Sequence, residues 1–169
     1  KLKTTAEENN YNHVLIPGGQ PPRAMFGYAF TELFFVLNHY GIIDDSFQSD
    51  FEKSISLLDL EKEKIQKEAM EIAKKMYQKT PVIYVANGFE GVAIRFRQQI
   101  NENSKMLCWH HVVPEMNHNE LLGWKTNVND LAVVYFRNKS DYERNQIRMD
   151  INKKVISKFT ENITEIWSK

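Results

Sequence analysis

The chain of 169 residues has a single cysteine and no formal net charge, and both features narrow its possible functions. Cys108 cannot form an internal disulfide, so we expect a reducing compartment, the cytoplasm. A net charge of zero gives no general attraction to nucleic acid or to acidic membranes. No apolar run approaches the roughly 20 residues that a membrane-spanning helix needs. We therefore expect neither a nucleic acid nor a membrane as a partner.

Short apolar runs alternate with longer amphipathic segments, and this alternation predicts the fold. The apolar runs predict strands at residues 13–16, 81–86, 105–113, 131–136 and 164–167. The amphipathic segments predict helices at residues 23–40, 47–78, 90–101 and 141–158. We expect Gly41 to end the first helix, Asp59 to begin a new helix inside the second, and Ser140 or Asp141 to cap the last. The sequence predicts an α/β fold, a three-layer αβα arrangement with a mainly parallel central sheet, as one domain over residues 1–169.

Sheets of this kind bind ligands beyond the carboxyl ends of their strands, which here means the loops after Ile16, Ala86 and Val113. In the first of these loops, the paired residues Gly18 and Gly19 permit a ligand to approach the backbone closely. We therefore take both glycines as candidate substrate-binding residues.

Two further groups in these loops have competing interpretations. Arg23 falls in the first turn of a predicted helix, where the helix dipole opposes a cation. It is either a guanidinium placed to meet an anion or an ordinary surface arginine. Asn87 and Gly88 follow the second predicted strand, and their backbone N–H groups either cradle a phosphate or sugar or form a plain turn.

A carboxylate and a histidine form a candidate pair for moving protons, for example on a sugar. Glu102 lies in a polar turn between a predicted helix and a predicted strand, flanked by Asn101, Asn103 and Ser104. His118 follows sixteen residues later, just past that strand, so we expect the two side chains to face one crevice. Such a pair suits general acid–base catalysis, although the local sequence around Glu102 alone favours an ordinary surface turn.

Several side chains around His118 are of metal-ligating types, but their spacing argues against a metal site. His110 and His111 are adjacent on a predicted strand and should point to opposite faces of the sheet. Cys108 lies between apolar neighbours and is expected to pack in the core rather than to react. We expect no bound metal.

Four segments together resemble the bifunctional phosphoglucose/phosphomannose isomerases, which are built on sugar isomerase (SIS) domains. The segments are residues 17–24 (PGGQPPRA), 101–105 (NENSK), 114–124 (PEMNHNELLGW) and 164–168 (TEIWS). They occur in the order of the family and span nearly the whole chain. The resemblance implies a flavodoxin-like SIS fold.

The resemblance also implies an activity and a role for each residue. The family interconverts glucose 6-phosphate, and usually mannose 6-phosphate, with fructose 6-phosphate, and it needs no metal or organic cofactor. By resemblance, Glu102 moves a proton between C2 and C1 through an enediol, and Arg23 stabilises the enediolate oxygen. His118 helps to open the sugar ring from across the interface of a homodimer, and Asn117 contacts the substrate.

The chain also departs from the family pattern. Family members are about twice as long, and this chain resembles their second SIS domain. It lacks the first domain, with its phosphate-binding loop, and the C-terminal helical segment. We therefore expect it to be a piece of a longer protein that is weakly active or inactive alone, because binding of the remote phosphate supports catalysis. The alternatives are a non-catalytic SIS-type module that binds a sugar phosphate for regulation, or an interaction fragment.

Overall fold

A computed structural model describes residues 1–125 and 128–168 and divides the chain into two compact units, residues 1–62 and 63–169. That residues 1–169 form one domain stays a prediction. Within the described ranges, no helix has both the length and the apolar character needed to cross a membrane.

The first unit contains helices α1 (Leu2–Glu8) and α2 (Phe26–His39) and the start of α3 (Ser46–Met76). A short 3₁₀ helix, Pro22–Ala24, precedes α2. Phenylalanine rings hold α2 against α3, and the Phe34 ring centroid lies 5.2 Å from that of Phe51 in an edge-on contact.

Gly41 ends α2 as predicted, with a positive φ of 68°. The Gly41 N–H donates to the carbonyl of Asn38 and the Ile42 N–H to that of Leu37, as in a Schellman motif.

Two predictions for the first unit are wrong. Residues 13–16 form no strand, and no described strand pairs with them, so this apolar run has no sheet to join. The third helix is continuous from Ser46 to Met76, and Asp59 lies in its interior rather than at a cap. The helix has no glycine or proline to interrupt it, and ion pairs such as Lys74–Glu71, three residues apart, support its surface.

The second unit contains a four-stranded, fully parallel sheet in the order β2-β1-β3-β4, which confirms the predicted α/β class. Its strands are β1 (Thr80–Ala86), β2 (Trp109–Val113), β3 (Leu131–Arg137) and β4 (Ile163–Trp167). Helix α4 (Glu90–Gln99) connects β1 with β2, and α5 (Glu143–Ile156) connects β3 with β4. Apart from Thr80 at the start of β1 and Arg137 at the end of β3, the central strands are apolar or aromatic because both of their faces are covered.

Side chains alternate between two cores, one on each face of the sheet. Tyr84 and Tyr135 belong to the core that includes Met149 of α5. Ile83 and Val134, one residue away in each strand, belong to the core that includes Ala93 of α4. This period of two gives the three layers that the sequence predicted.

Two element boundaries in this unit differ from the prediction. Strand β2 begins at Trp109 rather than at residue 105, because a turn with Lys105 at a φ of 56° precedes it. Helix α5 begins at Glu143, with Tyr142 at its N-cap position. Asp141, a predicted cap, instead accepts a hydrogen bond from the N–H of Asn138.

Candidate functional site

The carboxyl ends of β1 and β2 form one edge of the sheet, and two of the predicted binding loops begin there. Ala86 and Val113 are paired as the last residues of the two strands. A 3₁₀ helix that contains Asn87 and Gly88 follows β1, and a 3₁₀ helix that contains Asn117 and His118 follows β2. The structure therefore places these four candidate residues beyond the same edge, and their roles stay predictions.

Glu102 lies in a five-residue π-helical turn, Ile100–Ser104, that follows α4. The Asn101 side chain donates to the carbonyl of Met106 at 2.7 Å, and the Lys105 ammonium donates to the carbonyl of Glu102 at 2.6 Å. The left-handed backbone of Lys105 ends the turn. The polar neighbours of Glu102 thus shape the backbone, and Glu102 itself is exposed. Single π-helical turns are rare in proteins, and many of those that occur lie at functional sites.

Within one chain, Glu102 and His118 lie at opposite ends of β2. Helix α4 starts beyond the carboxyl end of β1, and its ten residues, about 15 Å long, return the chain to the amino ends of the strands. Ser104, at the end of the turn, lines a shallow pocket with Thr80, the first residue of β1. The five residues of β2 alone span about 13 Å between this turn and the His118 segment. The expected single crevice therefore does not form within one chain, because a whole strand separates the two groups.

The segment that carries His118 is held by a hydrogen-bonded cluster around Glu120. The Tyr84 hydroxyl donates to Glu120 Oε1 at 2.5 Å and accepts from Trp124 Nε1 at 2.8 Å. The second carboxylate oxygen, Glu120 Oε2, lies 3.0 Å from His111 Nδ1. Tyr84 is fully buried, whereas His111 and Glu120 are about a quarter exposed.

The same segment is also attached to α5. The Asn117 side chain donates to Asn152 Oδ1 at 2.6 Å, and Asn152 is fully buried. Asn152 Nδ2 in turn lies 3.2 Å from the sulfur of Met116, which is also fully buried. His118 is exposed.

Sequence reasoning missed Tyr84 and Asn152 as parts of this cluster. Tyr84 looks like any aromatic residue of a buried strand, and Asn152 looks like a polar residue of a solvated helix. The sequence indicates Glu120 only as one of the metal-ligating side-chain types around His118. An available signal was the asparagine itself, because a polar residue on the sheet-facing side of α5, in line with Met149 and Ile156, needs a buried partner.

Burial changes the acid–base properties of two groups in and beside the sheet. Burial and the neighbouring Glu120 carboxylate raise the pKa of Tyr84 well above its ordinary value of 10.0, so its hydroxyl stays a proton donor. On the other face, burial raises the pKa of the Cys108 thiol to about 11. Cys108 is 8% exposed and contributes to the core, as predicted.

His110 and His111 point to opposite faces, as predicted. His110 Nε2 lies 3.3 Å from Glu90 Oε1 of α4, whereas His111 contacts Glu120 on the α5 face. Within residues 1–125 and 128–168, no group of three or more His, Cys, Asp or Glu side chains lies close enough to hold a metal ion.

Three predicted site residues lie in the first unit. Gly18 and Gly19 are exposed, and Gly19 has a φ of 90°, which favours glycine. Arg23 is exposed in the 3₁₀ helix Pro22–Ala24, before α2 begins. It therefore lies outside the first turn of the α-helix, and its role as an anion-binding residue stays a prediction.

Comparison with known proteins identifies the family. The profile of the bacterial phospho-glucose isomerase C-terminal SIS domain matches residues 65–169. This chain belongs to that family. The bifunctional phosphoglucose/phosphomannose isomerase of Caldicellulosiruptor bescii is 33% identical over 178 residues, which cover 99% of this chain and 52% of that protein.

Two further proteins show the range of the similarity. D-glucosamine-6-phosphate 4-epimerase of Sulfolobus acidocaldarius is 32% identical over 128 residues, covering 72% of this chain and 38% of that protein. A crystal structure from Clostridium difficile 630, described as a phosphosugar isomerase, matches with a TM-score of 0.61 and 14% identity. That match covers 94% of this chain and 47% of the other, and it supports the fold. This SIS chain spans about half the length of the curated relatives it matches.

Proposed function

We propose that this chain is the second SIS domain of an isomerase that interconverts hexose 6-phosphates. The substrates are glucose 6-phosphate, and mannose 6-phosphate as a further aldose, with fructose 6-phosphate as the ketose. Membership of the isomerase C-terminal SIS family and the name of the bescii relative support this reaction. The structural observation that carries it is the exposed Glu102 in a π-helical turn, Ile100–Ser104, whose backbone accepts hydrogen bonds from the side chains of Asn101 and Lys105.

In this proposal, His118 helps to transfer the proton of the anomeric hydroxyl to the ring oxygen, which opens the sugar. The Glu102 carboxylate then removes the C2 proton and returns it to C1, while a proton moves between O1 and O2 of the enediol. Arg23 stabilises negative charge on the enediolate oxygen. General acid–base catalysis of this kind contributes about 10²–10⁴-fold per group.

We propose that the active site is shared between two copies of the protein. Glu102 and His118 lie at opposite ends of β2, so one copy supplies the carboxylate and its partner supplies the histidine. A homodimer with two-fold symmetry would form two such sites. Gly18 and Gly19 together with Asn87, Gly88 and Asn117 complete the proposed sugar phosphate contacts, without a metal or an organic cofactor.

A direct test compares the full-length protein that carries this sequence with its Glu102→Gln variant. We expect kcat for conversion of fructose 6-phosphate to glucose 6-phosphate to fall about 10²–10⁴-fold, with little change in sugar phosphate binding. Glu161→Gln, which alters another exposed glutamate of the second unit, should leave kcat unchanged. Binding of a hexose phosphate without turnover by the unsubstituted protein would instead favour a regulatory module.

The 169-residue chain should isomerise these sugars weakly or not at all, because it spans half of its relatives. A second candidate, epimerisation at C4 of an amino-sugar 6-phosphate, is favoured by the similarity to the Sulfolobus acidocaldarius epimerase. Incubation with glucosamine 6-phosphate and NMR analysis of the products separates the two reactions.

A further inference from the structure

We propose that Glu120 and Asn152 are positioning residues that hold the His118 segment rigidly over the carboxyl ends of β1 and β2. This inference rests on the proposed role of His118 in catalysis. The segment, Glu115–His118 followed by Glu120–Gly123, consists of two short 3₁₀ helices. Hydrogen-bond geometry in 3₁₀ helices is poor, so such a segment needs side-chain contacts to keep one conformation.

The directions of the hydrogen bonds around Glu120 fix the orientation of its carboxylate. The indole of Trp124 can only donate, so the Tyr84 oxygen accepts from it and directs its single proton to Glu120 Oε1. A carboxylate can only accept, so the contact of Oε2 with His111 requires a proton on His111 Nδ1. Both oxygens of Glu120 are therefore fixed, one by β1 and the other by β2.

Asn152 fixes the opposite flank of His118. Asn117, the residue before His118, donates to the fully buried Asn152 Oδ1 of α5 at 2.6 Å. Between the two anchors, the Asn119 side chain accepts from the N–H of Glu120 at 2.5 Å. His118 is thus an exposed side chain on a backbone that is attached one residue before it and two residues after it.

Rigid attachment matters because the proposed partner of His118 is a sugar bound at another copy. A misplacement of about 1 Å can cost roughly 10²-fold in rate when a reacting group must meet a substrate. Glu120 and Asn152 therefore act through His118, and neither needs to touch the sugar.

The competing interpretation is that Glu120 is itself a catalytic carboxylate. Glu120→Gln separates the two possibilities, because an amide can still accept from Tyr84 and donate to the other tautomer of His111. Positioning predicts that kcat of Glu120→Gln stays within a few-fold of the unsubstituted protein and that Glu120→Ala lowers kcat about 10²-fold. A catalytic carboxylate predicts that both substitutions are equally damaging.

A mutant cycle with His118→Asn tests whether Glu120 acts through His118. In the full-length protein, Glu120→Ala should lower kcat strongly when His118 is present and add at most a two-fold loss in the His118→Asn background. An equal loss in both backgrounds, or no loss in either, overturns the inference. If His118→Asn alone leaves kcat unchanged, the proposed function of His118 fails instead, which is a distinguishable result.

Asn152→Ala should behave as Glu120→Ala does in this cycle. Its matched control is Asn145→Ala, because Asn145 is a second buried asparagine of α5 whose side chain accepts from Arg148 and not from the His118 segment. Asn145→Ala should leave the effect of His118→Asn unchanged. A loss of kcat in Asn145→Ala as large as in Asn152→Ala would show that general loosening of α5 explains the effect, and would overturn the role of Asn152.

Milder substitutions keep the test decisive if an alanine variant does not fold. Tyr84→Phe removes only the hydroxyl that binds Glu120, and it should lower kcat with the same dependence on His118. Tyr135→Phe is the matched control, because Tyr135 is the register partner of Tyr84 and is equally buried. Its hydroxyl has no hydrogen-bond partner in the described part of the chain. Equal loss in the two variants would contradict the proposal.

Discussion

The two tyrosines that pair across β1 and β3 give a sharp prediction about stability. Tyr84 and Tyr135 are both fully buried on the same face of the sheet, with ring centroids 5.4 Å apart. The Tyr84 hydroxyl makes two hydrogen bonds, to Glu120 and from Trp124. The Tyr135 hydroxyl makes none with any described residue. The same chemical change, tyrosine to phenylalanine, should therefore have very different effects at these neighbouring positions.

The expected change in the free energy of unfolding depends on which hydrogen-bond partners lose the tyrosine hydroxyl. Tyr84→Phe leaves the buried Trp124 N–H without an acceptor, which costs about 1–3 kcal/mol, and removes a bond to a carboxylate worth about 1.5–3 kcal/mol. Glu120 is partly exposed and regains water, so we expect a net loss of about 2–4 kcal/mol. Tyr135→Phe removes a buried hydroxyl without a partner, and the free energy of unfolding should stay within about 0.5 kcal/mol or rise slightly.

Urea unfolding of the 169-residue chain, followed by circular dichroism, measures both effects. A shift of the midpoint at an unchanged slope reports a change in stability rather than in the amount of surface exposed. Equal midpoints for Tyr84→Phe and Tyr135→Phe, or a lower midpoint for Tyr135→Phe, would refute the hydrogen-bond argument.

Other predictions concern ionisation and the backbone. Burial raises the pKa of both Tyr84 and Tyr135, so unfolded tyrosines ionise near pH 10 while the folded ones stay neutral. The stability that they contribute is complete below pH 10 and is lost as the pH rises further, by about 1.4 kcal/mol per pH unit for each tyrosine; Tyr135→Phe should therefore lower the measured slope by about 1.4 kcal/mol per pH unit in urea titrations. Cys108, with a pKa of about 11, should react with iodoacetamide at pH 8 at least about 100-fold more slowly in the folded chain than in urea. Gly41→Ala should lower the free energy of unfolding by about 1–2 kcal/mol, because the φ of 68° disfavours a side chain although no atom lies within 4 Å of the added carbon.

The second unit was largely predictable because its strands are continuous apolar runs. Residues 81–86 and 131–136 are β-branched or aromatic and are bounded by turn residues, a pattern that suits strands covered on both faces. The first unit was less predictable. Residues 13–16 have the same composition as a strand, but a strand also needs a neighbour, and composition alone carries no information about pairing.

The sequence indicated the individual candidate residues better than it indicated their arrangement in space. The motif around Glu102 indicated a polar turn, and the structure shows a π-helical turn there. The predicted order of elements, with Glu102 before the strand and His118 after it, already implied opposite ends of β2, so the expectation of one crevice within a chain misinterpreted that order. Tyr84 gave no signal in the sequence, and the partner of Asn152 could not be identified, because the residues that they bind are 36 and 35 residues away.

The separation of Glu102 and His118 along β2 has a genetic consequence. If each active site takes Glu102 from one subunit and His118 from the other, then Glu102→Gln and His118→Asn are complementary defects. A mixed dimer of the two variants would contain one site with both defects and one site with neither. Random pairing of equal amounts makes half of the dimers mixed, so co-expression of two nearly inactive proteins should restore about a quarter of the unsubstituted activity. No recovery in dimers that are demonstrably mixed would mean that each active site takes both groups from the same subunit.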